Sequence, residues 1–128
     1  MNHPSDSLED LRQRLAEFAR QRDWEQFHSP KNLSMALIAE AAELVEHFQW
    51  LTESQSLQLD ADQLAAVRLE LADILIYLVR TADRLDIDLI AAARDKIAIN
   101  EQRFPAAQVR GLASRGSEAP SRQKFDES

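Results

Sequence analysis

The sequence predicts an all-α protein, and three observations support this class. Both glycines of the 128-residue chain, Gly111 and Gly116, lie towards its C-terminal end, so residues 1–105 contain none. A β-rich domain of that length would normally need glycine at its turns. Residues 1–105 are instead rich in Ala, Leu, Glu, Gln and Arg, which favour helices. The prolines lie at the edges of the predicted helices: Pro4, Pro30, Pro105 and Pro120.

Four helices follow from capping residues and apolar periodicity. Ser7, Ser29, Asp60 and Asp88 are suitable N-caps, because their side-chain oxygens can accept from the free N–H groups of a first helical turn. The expected helices are about residues 8–21, 30–51, 60–85 and 88–104, joined by a loop at 22–28 and a polar connection at 52–59. Pro105 ends the fourth helix.

The C-terminal segment differs from the rest of the chain. Residues 106–128 lack apolar periodicity and are rich in Ser, Arg and Gly, which predicts a flexible, disordered tail. The all-α domain is therefore expected to span residues 1–105.

The apolar residues of the second and third helices predict how they pack. On the second helix one stripe at helical spacing consists of Leu33, Leu37, Ala41, Leu44, Phe48 and Leu51. On the third helix the main stripe is Leu64, Val67, Leu71, Leu75, Leu78 and Ala82. Glu70, Asp73 and Tyr77 form a strip beside this stripe, and further apolar residues extend to its other side. The third helix is expected to be nearly fully buried, as the central helix of a bundle or a dimer.

Composition excludes several classes of function. The net charge of −7 argues against a nucleic-acid polymer as partner, because such binding needs a surplus of Lys and Arg. The chain has no cysteine, so a disulfide framework and a thiolate metal site are both impossible. The N-terminus lacks the features of a signal peptide, and no apolar run is long enough for a membrane span. We therefore expect a soluble, cytoplasmic protein.

Two pairs of acids with the same spacing indicate a cation site. Glu40 and Glu43 lie three residues apart in one helix, as do Glu70 and Asp73 in another, and residues so spaced share a helix face. Carboxylates beside apolar residues repel each other, unless a cation lies between them. Oxygen ligands suit Mg²⁺ or Mn²⁺. A di-iron site in a helical bundle requires a Glu-x-x-His motif. Here the residue three positions before His47 is Leu44, so the di-iron pattern is not met.

Other residues have both a functional and a purely structural interpretation. Trp24, Phe27 and His28 in the loop, with Trp50, either stack on a nucleobase or fasten the loop to the core. Tyr77 either reaches the acid site or packs in the core. The helical pair Lys96 and Asn100, followed by Arg103, either holds phosphate oxygens or is an ordinary solvated face. The acids themselves, in the simplest alternative, are solvated surface charges.

Together these motifs resemble the MazG-like, all-α nucleoside triphosphate pyrophosphohydrolases, and among them the dCTP pyrophosphatase type. The resemblance covers about residues 8–105. It rests on the Arg-Asp-Trp-Glu-Gln-Phe-His loop at 22–28, on both acid motifs, on Phe-Gln-Trp at 48–50 and on residues 96–105. The acid pairs alone are moderately specific, whereas their combination with the aromatic loop makes the match strong.

The resemblance implies an activity and a set of site residues. It implies Mg²⁺ bound by Glu40, Glu43, Glu70 and Asp73, and hydrolysis of a nucleoside triphosphate to the monophosphate and pyrophosphate. The residues matching nucleotide contacts are Trp24, Glu25, Gln26, Phe27, His28, Trp50 and Tyr77, with Lys96 and Asn100 near the phosphates. The family type also implies a homo-oligomer, a tetramer, whose subunits build the site together.

The expected mechanism has either Glu43 or Glu70 accepting a proton from the water that attacks the α-phosphorus. One departure from the family pattern concerns the base, because Leu15 stands where the dCTP-type enzymes carry a histidine. Other substrates therefore stay open, among them dUTP, a phosphoribosyl-ATP intermediate or a damaged nucleotide. A different alternative is a non-catalytic helical bundle whose acids bind a structural cation.

Overall fold

The computed structural model describes residues 7–112, and the regular structure within them is helical throughout. The helices are α1 (Leu8–Gln21), α2 (Pro30–Glu46), α3 (Glu53–Ser56), α4 (Ala61–Arg84), α5 (Leu89–Arg103) and α6 (Ala106–Val109), with a 3₁₀ turn at Glu25–Phe27. The predicted all-α class is confirmed, and α1, α2, α4 and α5 correspond to the four predicted helices. None of the helices in the described range is long and apolar enough to cross a membrane.

The predicted N-caps all form. Ser7 Oγ accepts from the backbone N–H of Asp10 at 2.9 Å, and Ser29 Oγ accepts from the third residue of α2 at 3.1 Å. At the start of α4, the Asp60 carboxylate and the Gln63 side chain each accept from the other's backbone N–H, at 2.8 and 3.0 Å. Such reciprocal bonds satisfy donors that a helix start leaves free.

Two predicted boundaries are wrong. Helix α2 ends at Glu46 rather than Leu51, because the connection that follows contains the short helix α3. Thr52 caps α3 in an extended backbone conformation and exchanges capping hydrogen bonds with Gln55, so the chain must leave helical geometry before it. The predicted tail is also structured at its start, where α6 covers residues 106–109. Its residues 113–128 lie outside the described part of the chain.

Helices α1 and α4 end in the same way although neither has a glycine there. Asp23 and Asp86 adopt left-handed backbone angles, with φ of 51° and 55°. The next residue in each case donates back into the helix, Trp24 N–H to the Ala19 carbonyl at 2.9 Å and Ile87 N–H to the Ala82 carbonyl at 2.8 Å. This is the Schellman pattern, in which aspartate tolerates the conformation that glycine usually supplies.

The chain divides into two compact units after Ile87. In the first unit α4 packs against α2 and α1. The buried apolar residues within residues 7–112 are Ala19, Leu33, Val67, Val79 and Ala82. The predicted stripe of α2 is buried or half-buried throughout. The second unit contains α5, which begins at its Asp88 cap, and α6.

The predicted packing face of α4 is partly wrong. Within this chain Leu64, Leu71, Leu75 and Leu78 are exposed by 40–58%. The half-buried side of α4 instead contains Glu70 and Tyr77, and Glu70 lies beside the acids of α2, whereas Asp73 is exposed. The leucines therefore form an exposed apolar surface of the chain.

Candidate metal and nucleotide site

Three of the four predicted metal-binding acids converge where α2 meets α4. Glu40 and Glu43 lie one turn apart on α2, and Glu70 reaches the same point from α4. One carboxylate oxygen from each of these residues lies within 4.8 Å of the other two. The Glu70 side chain is only 12% exposed. The arrangement therefore concentrates three formal negative charges beside a half-buried helix face.

Glu40 is the clearest sign that the cluster can hold a cation. Its Oε2 atom is buried and has no hydrogen-bond partner among residues 7–112, because its neighbours are themselves carboxylates and offer acceptors. The pKa of Glu40 lies above its ordinary value, chiefly because the carboxyl can share a proton with Glu70. Partial desolvation and repulsion from Glu70 and Asp73 act in the same direction.

The pKa of Glu43 is raised too, first by hydrogen bonding with Glu40 and then by the charge of Glu40. Asp73, the fourth predicted ligand, is exposed and lies one turn beyond Glu70, outside the tight group. It still acts on the cluster, since its charge contributes to the raised pKa of Glu40. Three carboxylates with an unsatisfied buried oxygen fit Mg²⁺ or Mn²⁺, which prefer oxygen ligands.

A histidine stands beside the acids although the sequence analysis gave it no role. His47 caps the C-terminal end of α2, and its Nε2 atom lies 3.8 Å from Oε1 of Glu70. His47 follows Glu43 by four residues, and residues so spaced share a helix face. Its place beside the acids could therefore have been predicted from the sequence. His47 does not complete a Glu-x-x-His motif, but it lies beside a carboxylate of the cluster.

The aromatic residues of the loop are not buried in the core. Trp24 is 44% exposed and Phe27 is 59% exposed, while Trp50 in the turn after α2 is 86% exposed. The rings of Trp24 and Phe18 meet edge to face with centroids 5.8 Å apart, and Trp24 meets the His28 ring in the same way at 6.5 Å. These exposed rings leave surfaces on which a planar base could stack.

The polar residues of the loop have different roles. The Gln26 amide donates to the backbone carbonyl and the side chain of Asp23, at 3.0 and 3.1 Å, so it braces the turn that follows α1. The side chain of Glu25 is exposed. Asn32 at the start of α2 donates to the Phe27 carbonyl at 3.0 Å, which fastens the other end of the loop. The fold thus holds the exposed aromatic rings on a braced segment.

The remaining predicted contacts lie on two helices. Tyr77 is half-buried on α4, on the side of the helix that carries Glu70. Lys96 and Asn100 lie one turn apart on α5, in the second compact unit. Leu15 is half-buried on α1 and borders an open hollow that Phe18 also lines. An apolar side chain therefore stands at the position of the expected histidine.

The chain matches the MazG-like family over residues 36–118. It belongs to the MazG-like family. The dCTP pyrophosphatase 1 of Homo sapiens is 44% identical over 119 residues, which are 91% of this chain and 70% of that protein. The Mus musculus protein of the same name is 45% identical over the same shares.

A solved structure supports the same assignment. The crystal structure of a pyrophosphatase from Archaeoglobus fulgidus is similar with a TM-score of 0.74 and 35% sequence identity. The match covers 82% of this chain and 98% of that one. The predicted resemblance to MazG-like proteins is therefore confirmed.

One group of polar residues in this MazG-like chain was missed entirely. Arg80, near the C-terminal end of α4, is 4% exposed, and it bonds His28 of the loop and Asp83 of its own helix. Arg12 of α1 donates to the other oxygen of Asp83 at 2.9 Å. A single arginine near a helix end normally indicates a solvated cation, so no local pattern signals this buried network.

Proposed function

We propose that this protein is a Mg²⁺-dependent nucleoside triphosphate pyrophosphohydrolase that converts dCTP, or a modified dCTP, to the monophosphate and pyrophosphate. The observation that carries the proposal is the convergence of Glu40, Glu43 and Glu70, together with the buried Oε2 atom of Glu40, which has no hydrogen-bond partner among residues 7–112. The predicted enzyme class is confirmed by the MazG-like family match and the relatives named dCTP pyrophosphatase 1. Those names also make dCTP the first substrate to test.

The acid cluster suits this chemistry through its charge. Bound Mg²⁺ would neutralise the carboxylates, bridge the triphosphate and lower the pKa of a coordinated water. Glu40 and Glu70 are the more enclosed acids, which suits them to holding the ion, whereas Glu43 is exposed. Because Glu43 is exposed, a water molecule can reach its carboxylate and give up a proton to it. We therefore assign Glu43 as the general base, and Glu40, Glu43, Glu70 and Asp73 as the residues that would hold the ion.

The nucleotide contacts follow from the exposed surfaces near the loop. Trp24 and Phe27 would stack on the base, and Trp50 would add a second aromatic surface, because each of these rings is at least 44% exposed. Glu25, His28 and Tyr77 are proposed as polar contacts to the nucleotide. Gln26 is proposed to act by bracing the loop, since its amide is already bonded to Asp23.

The phosphate contacts are proposed on α5. Lys96 supplies a positive charge and Asn100 a donor amide on the same helix face, which suits phosphate oxygens. This assignment depends on the resemblance to the MazG-like enzymes. A cytoplasmic location likewise stays a prediction from the sequence.

We also propose a homo-oligomer, and a tetramer by analogy with the family type. The leucines on α4 are exposed by 40–58% in the single chain, and Met35, Ile38 and Val45 on α2 by 58–67%. Monomeric proteins rarely leave apolar surface of this extent open to water. We propose that other copies of the chain cover these side chains. The exposed apolar residues lie on α2 and α4, the same helices that carry the acids.

The proposal is tested by incubating the protein with Mg²⁺ and each deoxynucleoside triphosphate, including 5-substituted dCTP, and measuring released pyrophosphate. We expect release from dCTP or its 5-substituted form, and none without the metal ion. Reaction in ¹⁸O-labelled water should place the label in the monophosphate, because water attacks the α-phosphorus. Label in the pyrophosphate would contradict that mechanism. An absence of turnover with every nucleotide would leave the structural-cation alternative.

A further inference from the structure

A buried arginine of α4, Arg80, contacts the aromatic loop. Arg80 Nε lies 3.3 Å from Nδ1 of His28, and one of its terminal nitrogens lies 3.1 Å from Asp83. Arg84, one turn further along α4, donates to the backbone carbonyl of His28 at 3.1 Å. Two arginines of α4 therefore hold the imidazole and the backbone of the same loop residue.

The direction of the Arg80 bond determines the protonation of the ring. A guanidinium group has only donors, so Nδ1 of His28 must be the acceptor and cannot carry a hydrogen. A neutral imidazole then carries its hydrogen on Nε2. Protonation of the ring would place an N–H group opposite the Arg80 N–H, and the contact would become repulsive.

The surrounding charges favour the same state. Arg80 is balanced by Asp83, and that carboxylate also accepts from Arg12 of α1 at 2.9 Å. The negative charge near Arg80 is thus already shared between two arginines. Burial lowers the pKa of His28, and the charges of Arg80 and Arg84 lower it further, while Glu25 opposes them. His28 is therefore held neutral by its geometry and by its neighbours together.

We propose that Arg80 is a positioning residue that fixes His28 as a neutral imidazole with its hydrogen on Nε2, so that the loop offers the nucleotide one oriented donor. The partner of this donor is an acceptor atom of the nucleotide, on the base or on the sugar. The proposal rests on the nucleotide site proposed above. It assigns Arg80 a role through His28 and no contact with the substrate.

The state of the ring is tested without any nucleotide. The imidazole nitrogens of the ¹⁵N-labelled protein are observed by NMR, and the His28 signals are assigned by their loss in His28→Gln. We expect Nδ1 to be unprotonated, Nε2 to be protonated, and the ring to stay neutral as the pH falls below 6.5. A hydrogen on Nδ1, or a charged ring at neutral pH, would overturn the proposal. This result is independent of whether the protein hydrolyses a nucleotide.

The role of Arg80 is tested by substitution, with Arg84 as the matched control. In Arg80→Met the titration of His28 should move up towards that of an ordinary histidine, and the KM for dCTP should rise about two- to tenfold, as for one lost hydrogen bond. The kcat should change little. Arg84→Met removes the bond to the His28 carbonyl and a neighbouring charge but leaves the bond from Arg80 to the ring in place, so Nδ1 should stay unprotonated and Nε2 protonated.

A double-mutant cycle separates positioning from a purely structural effect. Glutamine at position 28 has no ring tautomer, so Arg80→Met should have little further effect on KM in the His28→Gln background. An equal effect of Arg80→Met in both backgrounds would refute the proposal. An abasic deoxyribose triphosphate distinguishes the two possible acceptors. If the effect of Arg80→Met disappears with this substrate, His28 donates to the base, and if it persists, His28 donates to the sugar.

Discussion

The unsatisfied oxygen of Glu40 leads to a quantitative prediction about Mg²⁺ and stability. Mg²⁺ at 100 times its dissociation constant should add about 2.7 kcal/mol to the free energy of unfolding. For a chain of this length that corresponds to a rise in melting temperature of about 8–16 °C. Glu40→Gln keeps the shape of the side chain but removes one of three converging carboxylates. If it weakens Mg²⁺ binding about 100-fold, the same Mg²⁺ concentration adds only about 0.4 kcal/mol, a rise of about 1–2 °C.

The assay is thermal unfolding in EDTA and at increasing Mg²⁺ concentrations. Glu46→Gln is the matched control, since it removes the same charge from the end of α2 without removing a member of the cluster. The wild type and Glu46→Gln should show the full Mg²⁺-dependent rise, and Glu40→Gln should show little of it. An undiminished rise in Glu40→Gln would refute the assignment of the cation to this cluster.

The pH dependence follows from the raised pKa values of Glu40 and Glu43. In the folded protein both pKa values exceed the ordinary 4.5. Without metal, the contribution of these two carboxyl groups to the free energy of unfolding is therefore greatest below pH 4.5. It is lost as the pH rises through the folded-state pKa values. Protons also compete with Mg²⁺ for these carboxylates. The Mg²⁺-dependent rise in melting temperature should therefore diminish as the pH falls, and a rise that grew towards acid pH would contradict this account.

Three further predictions concern the aromatic surface, the oligomer and the core. Trp50→Ala should raise the KM for the nucleotide about 5- to 150-fold, because the ring that stacks on the base is lost. The melting temperature should not change, because Trp50 is 86% exposed. An unchanged KM would exclude Trp50 from the site. Leu71→Glu should reduce the molar mass measured by light scattering, since this leucine is 51% exposed in the single chain; an unchanged mass would place the interface elsewhere. Leu33→Ala should lower the free energy of unfolding, measured by denaturant titration, by about 2–5 kcal/mol, because Leu33 is only 2% exposed. A loss below about 1 kcal/mol would contradict its place in the core.

The sequence predicted the elements that depend on local signals. The N-caps at Ser7, Ser29, Asp60 and Asp88 all form, because capping is decided by the side chain and the backbone of one turn. The same local rule could have located α3, since Thr52 followed by glutamine three residues later is a capping-box pattern.

The sequence could not decide which side of α4 faces α2. A leucine stripe and an acid-bearing strip lie side by side on this helix, and apolar periodicity alone favours the leucines. Glu70 nevertheless lies on the half-buried side, where it meets Glu40, while Leu71 is 51% exposed. Periodicity shows that a face is apolar but does not show whether it is covered by the same chain or by another copy.

The buried network of Arg80 lay beyond sequence analysis for a different reason. Its partners are His28 and Asp83, and the first of these is separated from it by 52 residues. Only the packing of the loop against α4 reveals that the guanidinium is enclosed. The spacing of the acids, by contrast, is a local property of two helices, which is why the three acids that converge could be named as candidates in advance.

The most direct test of the central claim is pyrophosphate release from dCTP and Mg²⁺ by the wild type, Glu43→Gln and Glu46→Gln. We expect release by the wild type and by Glu46→Gln, and a loss of about 10²- to 10⁴-fold in Glu43→Gln, the range for removal of a general base. All three proteins should show the same helical content by circular dichroism. Pyrophosphate release by Glu43→Gln at the wild-type rate would contradict the account, because the reaction would then not depend on the converging carboxylates.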